Sequence, residues 1–449
     1  MKTVQNSIQI SLFVVLLMQP FTSGAQPVIK IAAGKGLAGN HTLFLKSDGS
    51  LWGMGNNSYG PLGNGPATNI PRQIISDGVT AIAAGGLHTL FIKGDGSLWG
   101  MGNNGAGQLG IGTFEHTNQP QQIVTSDVSV IDASESHTLF LKNNGSLWAM
   151  GANNAGQLGD GTYTQANFPE QIVASGVVAV ACEAAHSLFI KNDGSLWGMG
   201  GSATGQLGDS YDRTNLPVLI VTNGVTAIAV GRSHSLFLRD DGSLWGMGRN
   251  LVGELGDGTY AQVISPKQLV SSGVTAVTAG NYFTLFLKSD GSLWGMGANN
   301  YRQLGNTLYD YTNQPQLIVA SGVTAIAAGG DRSLFLTSDG SLWGMGRNDS
   351  GELGDGTYTQ VNSPKQLVDG AYPPPNYNQI SGELLNGGDV RLSFVGISGT
   401  NYALERTFNL SPPDWVAQAT NAAGVGGTLI FTNAPDSTTN NFWRIRSVP

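Results

Sequence analysis

DGSLWGMG, residues 48–55, returns letter for letter at 95–102, 193–200, 241–248, 290–297 and 339–346. NGSLWAMG at 144–151 is a seventh copy. The seven tryptophans stand 47, 49, 49, 48, 49 and 49 residues apart. Self-similarity at a period of roughly 20–50 residues marks a solenoid, a propeller or an array. Each copy has to be read for the strands it makes.

Between Pro120 and Gly151 four β-prone runs follow one another: PQQIV, VSVIDAS, HTLFLK and SLWAMG. Asp-Gly or Asn-Gly joins the third run to the fourth in every copy. That dipeptide between apolar runs signals a hairpin, and a type I′ turn with positive φ at both central residues is expected. A tight turn also joins the first run to the second, as in IISDGVTAI. The four runs therefore read as one antiparallel meander. The Gly- and Pro-rich stretch after each tryptophan strand reads as a crossover to the next meander. Seven such units describe an all-β seven-bladed β-propeller. On this reading the last run, Lys365–Val368, has no successor and the first, Val28–Ala33, has no predecessor, so the two are expected to pair and lock the ring. Tryptophan and methionine of the octapeptide pack between blades; the repeat holds the ring together and does no chemistry.

The stretch AAGGLHTLFIKGDGSLWGMGNNGAGQLGIGT, Ala83 to Thr113, resembles the regulator of chromosome condensation repeat family. The shared elements are small residues, His-Ser/Thr-Leu, the Asp-Gly hairpin, Trp-Gly-x-Gly-x-Asn and Gly-Gln-Leu-Gly. The last recurs with Gln or Glu at Gly107, Gly156, Gly205, Gly253 and Gly351, and is altered to Gly60-Pro-Leu-Gly and Arg302-Gln-Leu-Gly. The resemblance spans about residues 28–370 and implies the same seven-bladed fold. It also implies, as one alternative, guanine-nucleotide exchange on a small GTPase. Secreted relatives of bacterial type are similar to inhibitors of extracellular enzymes.

Composition narrows the partners. Formal net charge is −8, with charged residues only 12% of the chain and no basic run. Such a chain lacks the electrostatic footprint of a nucleic-acid binder. Residues 1–25 combine Lys2, an apolar run from Ile10 to Met18 and the small residues Ser23-Gly-Ala25. That pattern reads as a secretory signal peptide, too short to span a bilayer. A secreted, periplasmic or cell-surface location without membrane insertion after cleavage is expected. Cys182, the single cysteine, replaces an alanine of the other copies and reads as buried filler.

Strand alternation sorts the loops. The Asp-Gly turns and the turns preceding VTAI-type runs share one monotonous face. The turns before HTLF and the long Gly-rich segments share the other, which varies between copies. From this variable face Lys35, Asn40, Glu135, Arg232, Tyr282, Asp331 and Arg332 are taken as binding candidates. Its long segments also carry Tyr59, Phe114, Tyr163, Tyr211, Tyr260, Tyr301, Tyr309, Tyr311 and Tyr358. Loops on rigid scaffolds concentrate function, and tyrosine favours interfaces. His41, His88, His137, His186 and His234 occupy one repeat position, with Phe283 and Arg332 in the last two copies. Equivalent positions on separate blades diverge, so these histidines read as hydrogen-bonding the turns they close, not as metal ligands. AGKGLAG, residues 33–39, lacks the Gly-Lys-Ser/Thr of a phosphate loop. No catalytic residue and no cofactor is expected.

Residues 371–376 form a proline-rich linker, and 377–449 carry alternating runs such as DVRLSFVG and GGTLIFTN that fit a small β-sandwich of about six strands. YALERTFNLSPPDW, Tyr402 to Trp415, resembles terminal sandwich modules of secreted bacterial proteins. The whole reads as an extracellular binding scaffold, non-catalytic, facing a protein or glycan. The alternative is an extracellular polysaccharide-acting enzyme with its site on the same face.

Overall fold

The computed structural model describes residues 26–37, 39–209 and 212–370, and the backbone of six strands between Ile380 and Val448. Residues 1–25, read above as a signal peptide, and the linker 371–376 lie outside the described residues. Residues 26–370 form one compact unit. It contains seven four-stranded antiparallel sheets and, among its described residues, no helix.

The first sheet runs Val28–Ala33, His41–Lys46, Leu51–Gly55 and Thr68–Ile75, in that order. The last runs Val323–Gly329, Arg332–Thr337, Leu342–Gly346 and Val361–Val368. This corrects the expected seam. The final strand pairs with Leu342–Gly346 of its own sheet, with Leu342 opposite Val368 and Trp343 opposite Gln366, and not with Val28–Ala33. Each PxQIV run is thus the outer, fourth strand of the preceding tryptophan's blade. The Gly-rich segment is a connection within a blade, and the short SDG-type turn is the step to the next.

The physical reason is a folded connector. In the second blade Asn104 Oδ1 accepts from Leu109 N at 2.9 Å while its Nδ2 donates to Thr113 O at 2.9 Å, curling the segment back on itself. Asn57, Asn153, Asn250, Asn299 and Asn348 do the same for Leu62, Leu158, Leu255, Leu304 and Leu353. A buried leucine anchors each connector.

The ring closes by repeating one junction. The amide of Val79 donates to Gly49 O at 3.0 Å, tying the start of one blade to the preceding Asp-Gly turn, and Val28 N donates to Gly340 O at 3.2 Å across the seam. Val28, Ala33, Phe44 and Met54 of the first blade pack with Leu334, Leu336, Leu342 and Leu353 of the last in a single core cluster. Outer strands carry a proline at each blade, Pro71 through Pro364, which blunts exposed edges.

The octapeptide shows how these contacts are made. The turn is a type I turn closed by Gly49 N donating to Lys46 O at 3.0 Å, with Gly49 alone at positive φ (80°). Asp48 keeps negative φ, so the expected type I′ turn is replaced by a type I turn with a glycine bulge. Asp48 Oδ1 accepts from Ser50 N at 2.9 Å and from Ser50 Oγ at 2.6 Å, and Ser50 Oγ accepts from Trp52 Nε1 at 2.8 Å. Trp52 lies parallel to Phe44 across the strand pair, centroids 6.2 Å apart, with Lys46 Nζ 4.4 Å above its ring. Trp99, Trp148, Trp197, Trp245, Trp294 and Trp343 make the same stack on their own phenylalanines.

The C-terminal unit has two three-stranded antiparallel sheets. One orders Ile380–Leu384, Val390–Val395 and Thr428–Asn433; the other orders Val416–Ala422, Asn401–Thr407 and Phe442–Val448. Six strands are thus described where about six were expected.

Candidate functional site at the mouth of the axial channel

The inner strands of the seven blades surround a channel of about 280 Å³, lined by an isoleucine or valine from every blade, Ile31 through Ile326, and by small residues. The inner strand ends at the turn before HTLF, so these turns rim the channel on the variable face.

Sequence departures collect there. Where other blades carry Ala or Thr, the third has Asp132; where others carry Gly or Ser, the fourth has Glu183. Lys35, from the longer turn of the first blade, crosses to Asp132, with Nζ 2.7 and 2.8 Å from its two carboxylate oxygens, and donates to Cys182 O at 2.9 Å. Cys182 N donates to Asp132 Oδ2 at 2.7 Å. Burial works against the Lys35 charge, but Asp132, Cys182 and Glu183 together outweigh it and hold the ammonium above its ordinary range. Beside them Arg232 pairs with Glu135 at 3.2 Å. Glu183 is only 3% exposed, and among the described residues neither of its carboxyl oxygens has a hydrogen-bond partner. Burial, and then Glu135 and Asp132 against the pull of Lys35, push its pKa up to about 8. Cys182 is fully buried, and burial pushes its thiol up.

A pH dependence follows. Glu183 holds its proton to higher pH folded than unfolded, so its contribution is fully present below about pH 4.5 and is lost as pH rises through 8. Glu183→Gln is expected to remove that decline, worth on the order of 4 kcal/mol. Denaturant midpoints at pH 5 and 8.5 check it: the variant's advantage must grow with pH, and a constant difference refutes it.

Of the seven candidates, Lys35, Glu135 and Arg232 meet at this mouth. Asn40 is half-buried and its carbonyl accepts from Asn56 N at 2.7 Å. Tyr282 is half-buried under the Arg249 guanidinium, 4.4 Å from the ring centroid, and Asp331 O accepts from Arg347 N at 3.0 Å. Arg332 is corrected: at 1% exposure it presents nothing to the face. Its Nε donates to Thr42 Oγ1 at 3.1 Å and its terminal nitrogens donate to the carbonyls of Gly39 (2.6 Å) and His41, all in the first blade. Asp132 and Glu183 were missed. The available signal was a carboxylate at repeat positions that otherwise hold small residues.

The histidine side chains have a different role from the one expected. His137 Nε2 lies 2.9 Å from Ser187 Oγ of the next blade, and Ser187 Oγ donates to Gln157 O at 2.8 Å. The hydroxyl proton is committed to that carbonyl, so Nε2 is the protonated nitrogen. His41, His88, His186 and His234 reach Thr89, Thr138, Ser235 and Thr284 in the same way. The carbonyls of His41, His88 and His234 accept from Gly34, Gly85 and Gly231 of the turns they close, as expected, but of the five rings only that of His137 bonds its own turn, through Nδ1 and Ser134 Oγ at 2.6 Å. All five are fully buried, and burial pushes each pKa down to about 3.

Around the mouth the connectors carry aromatics. Phe114, Tyr163, Tyr260 and Tyr358, at equivalent positions, are 43–55% exposed.

Seven like blades around a channel, with a charged mouth on one face, define a repeat propeller. The comparisons agree. The family model for the regulator of chromosome condensation (RCC1) repeat matches residues 48–92, 95–141, 144–190, 193–238, 241–287 and 290–336. A second model of the same description matches 28–60, 79–108, 128–157, 225–254, 274–303 and 323–352. The chain belongs to the RCC1 repeat family. No curated protein matches it. Among solved structures it is similar to human WBSCR16, at 24% identity and a TM-score of 0.63 over 71% of this chain and 93% of that one. It is also similar to Prp20p of Saccharomyces cerevisiae, at 21% identity and a TM-score of 0.65 over 73% and 88%. These likenesses speak for the fold.

Proposed function

We propose that this protein is a secreted, non-catalytic binding scaffold that presents its variable loop face to an extracellular or cell-surface protein or glycan. The observation that carries the reading is the asymmetry between faces. The Asp-Gly face repeats one turn seven times, whereas the other gathers the charged mouth and four half-exposed aromatics on connectors pinned by buried Asn and Leu. Rigid aromatics lose little entropy on binding and are enriched at interfaces. Prp20p, which the chain resembles in fold, is described with binding properties to Gsp1p and histones. The N-terminal leader pattern supports secretion, and a net charge of −8 favours partners other than nucleic acid.

The polysaccharide-acting alternative needs two carboxylates free to act on a sugar. At the mouth Asp132 is engaged by Lys35 through both oxygens, Glu135 by Arg232, and Glu183 is buried. That arrangement favours binding.

The test is affinity capture from culture medium, with a glycan array beside it, using the full chain. Joint replacement of Phe114, Tyr163, Tyr260 and Tyr358 by Ala is expected to abolish capture while leaving thermal unfolding unchanged. Capture that survives these changes and fails instead on substitution of the Asp48-type turns would assign the wrong face. Hydrolysis of an arrayed polysaccharide would overturn the non-catalytic reading.

A further inference from the structure

We infer that the channel mouth takes an alkylammonium group, the head of a partner's lysine side chain or of a free diamine, which docks on Glu183 from the variable face. This rests on the reading that this face binds, and names what it binds.

The mouth already shows this chemistry. Lys35 Nζ is held by three acceptors, the two Asp132 oxygens and Cys182 O, between 2.7 and 2.9 Å. Three acceptors match the three N–H donors of an ammonium. Arg232 matches Glu135. Two cations thus face three carboxylates, and the unmatched one is Glu183. Glu183 directly follows Cys182, whose amide and carbonyl bond Asp132 and Lys35, which places it among the mouth residues. A buried carboxyl without a partner is costly, and an incoming cation removes that cost.

The surrounding backbone is set apart as well. Neighbouring turns are tied by Lys35 N to Gly85 O (3.2 Å), Gly86 N to Ser134 O (3.0 Å), Arg232 N to Asn281 O (3.3 Å) and Asn281 N to Gly330 O (2.9 Å). Among the described residues no such bond flanks the fourth blade's turn on either side. That turn holds Ala184 at φ 43°, a left-handed conformation that a non-glycine residue adopts at a cost, and strain of this kind collects at functional sites.

The ligand class follows from the ammonium already held at this mouth: Lys35 reaches it on an alkyl stem and places its head on carboxylate and carbonyl oxygens. The described residues contain no group of three or more metal-ligating side chains.

Calorimetric titration of the full chain with 1,5-diaminopentane tests this, with 1,5-pentanediol as the uncharged control and an acetylated Gly-Lys-Gly amide as the lysine arm. Saturable one-to-one diamine binding is expected. Docking releases the Glu183 proton, so affinity should rise about tenfold per pH unit from pH 6 to 8 and then level off. Glu183→Gln should weaken it at least about tenfold. Glu183→Asp, which keeps the charge, should retain part of the binding. Peptide binding alongside diamine binding assigns a protein lysine; diamine binding alone assigns a small amine. Equal binding by Glu183→Gln, equal binding of the diol, or no saturation at millimolar diamine overturns the inference. Partner capture that persists in Glu183→Gln and resists diamine competition would overturn it too, while leaving the loop-face reading intact.

Discussion

Lowering the pH from 6.5 to 4.5 is expected to collapse the stability of the propeller. His41, His88, His137, His186 and His234 are buried and neutral, with pKa pushed down to about 3 by burial, while the unfolded chain titrates them near 6.5. A depressed folded pKa means that the unfolded state takes up protons first. Their contribution is full above pH 6.5 and is lost as pH falls toward 3. Each proton is worth about 1.4 kcal/mol per pH unit once the unfolded histidine is charged. Glu183 opposes them with one proton over the same range. Four net protons leave a slope of about 5 kcal/mol per pH unit. Most domains hold only about 5–15 kcal/mol in total, so unfolding near pH 5 is expected. The blade-to-blade bonds from each Nε2 to a Ser or Thr hydroxyl are the structural correlate. Denaturant melts from pH 7.5 to 4.5 check the slope, and His→Gln at a single blade should remove one proton from it. A midpoint that barely moves between pH 7.5 and 5 would refute the assignment.

Arg332→Ala is expected to cost about 3–5 kcal/mol, far more than a surface arginine, because it strips a buried cation from the seam between the last and first blades. The carbonyls of Gly39 and His41 and the hydroxyl of Thr42 would lose their donor, and buried Glu352 would lose one of the positive charges beside it. Unpaired buried acceptors cost about 1–3 kcal/mol each. The propeller's last strand, Val361–Val368, pairs within its own blade, so the seam rests on this arginine, on Val28 N to Gly340 O, on the reciprocal bonds between Asn69 and Gly356, and on the shared apolar cluster. Arg332→His should recover part of the loss, since histidine at this position reaches a next-blade hydroxyl in five other blades. Arg347→Ala, at a more exposed site, is the control and should stay within about 0.5 kcal/mol. Equal midpoints for Arg332→Ala and Arg347→Ala would show that the seam does not depend on it.

Period and turn chemistry were legible in the sequence. Trp52 and its six counterparts fix the number of blades, and the Asp-Gly dipeptides fix where the central hairpins turn. The division of loops into two faces was legible too, because alternation along a meander does not depend on which strand opens a blade. The same independence hid the blade boundary. A tight SDG turn and a curled Gly-Gln-Leu-Gly connector both reverse the chain. Only the Asn104-type bonds show that the longer one joins strands of a single sheet.

Composition and repeat thus determined an all-β wheel with a constant rim and a variable one. Tertiary structure decided what the variable residues do. Arg332 and the histidines sit in one repeat column, and whether a side chain there meets solvent or the next blade depends on packing roughly 50 or 290 residues away in sequence. Lys35 and Asp132 are 97 residues apart. Local patterns report only on neighbours within a strand or a turn, while partnership across the channel arises from closure of the ring.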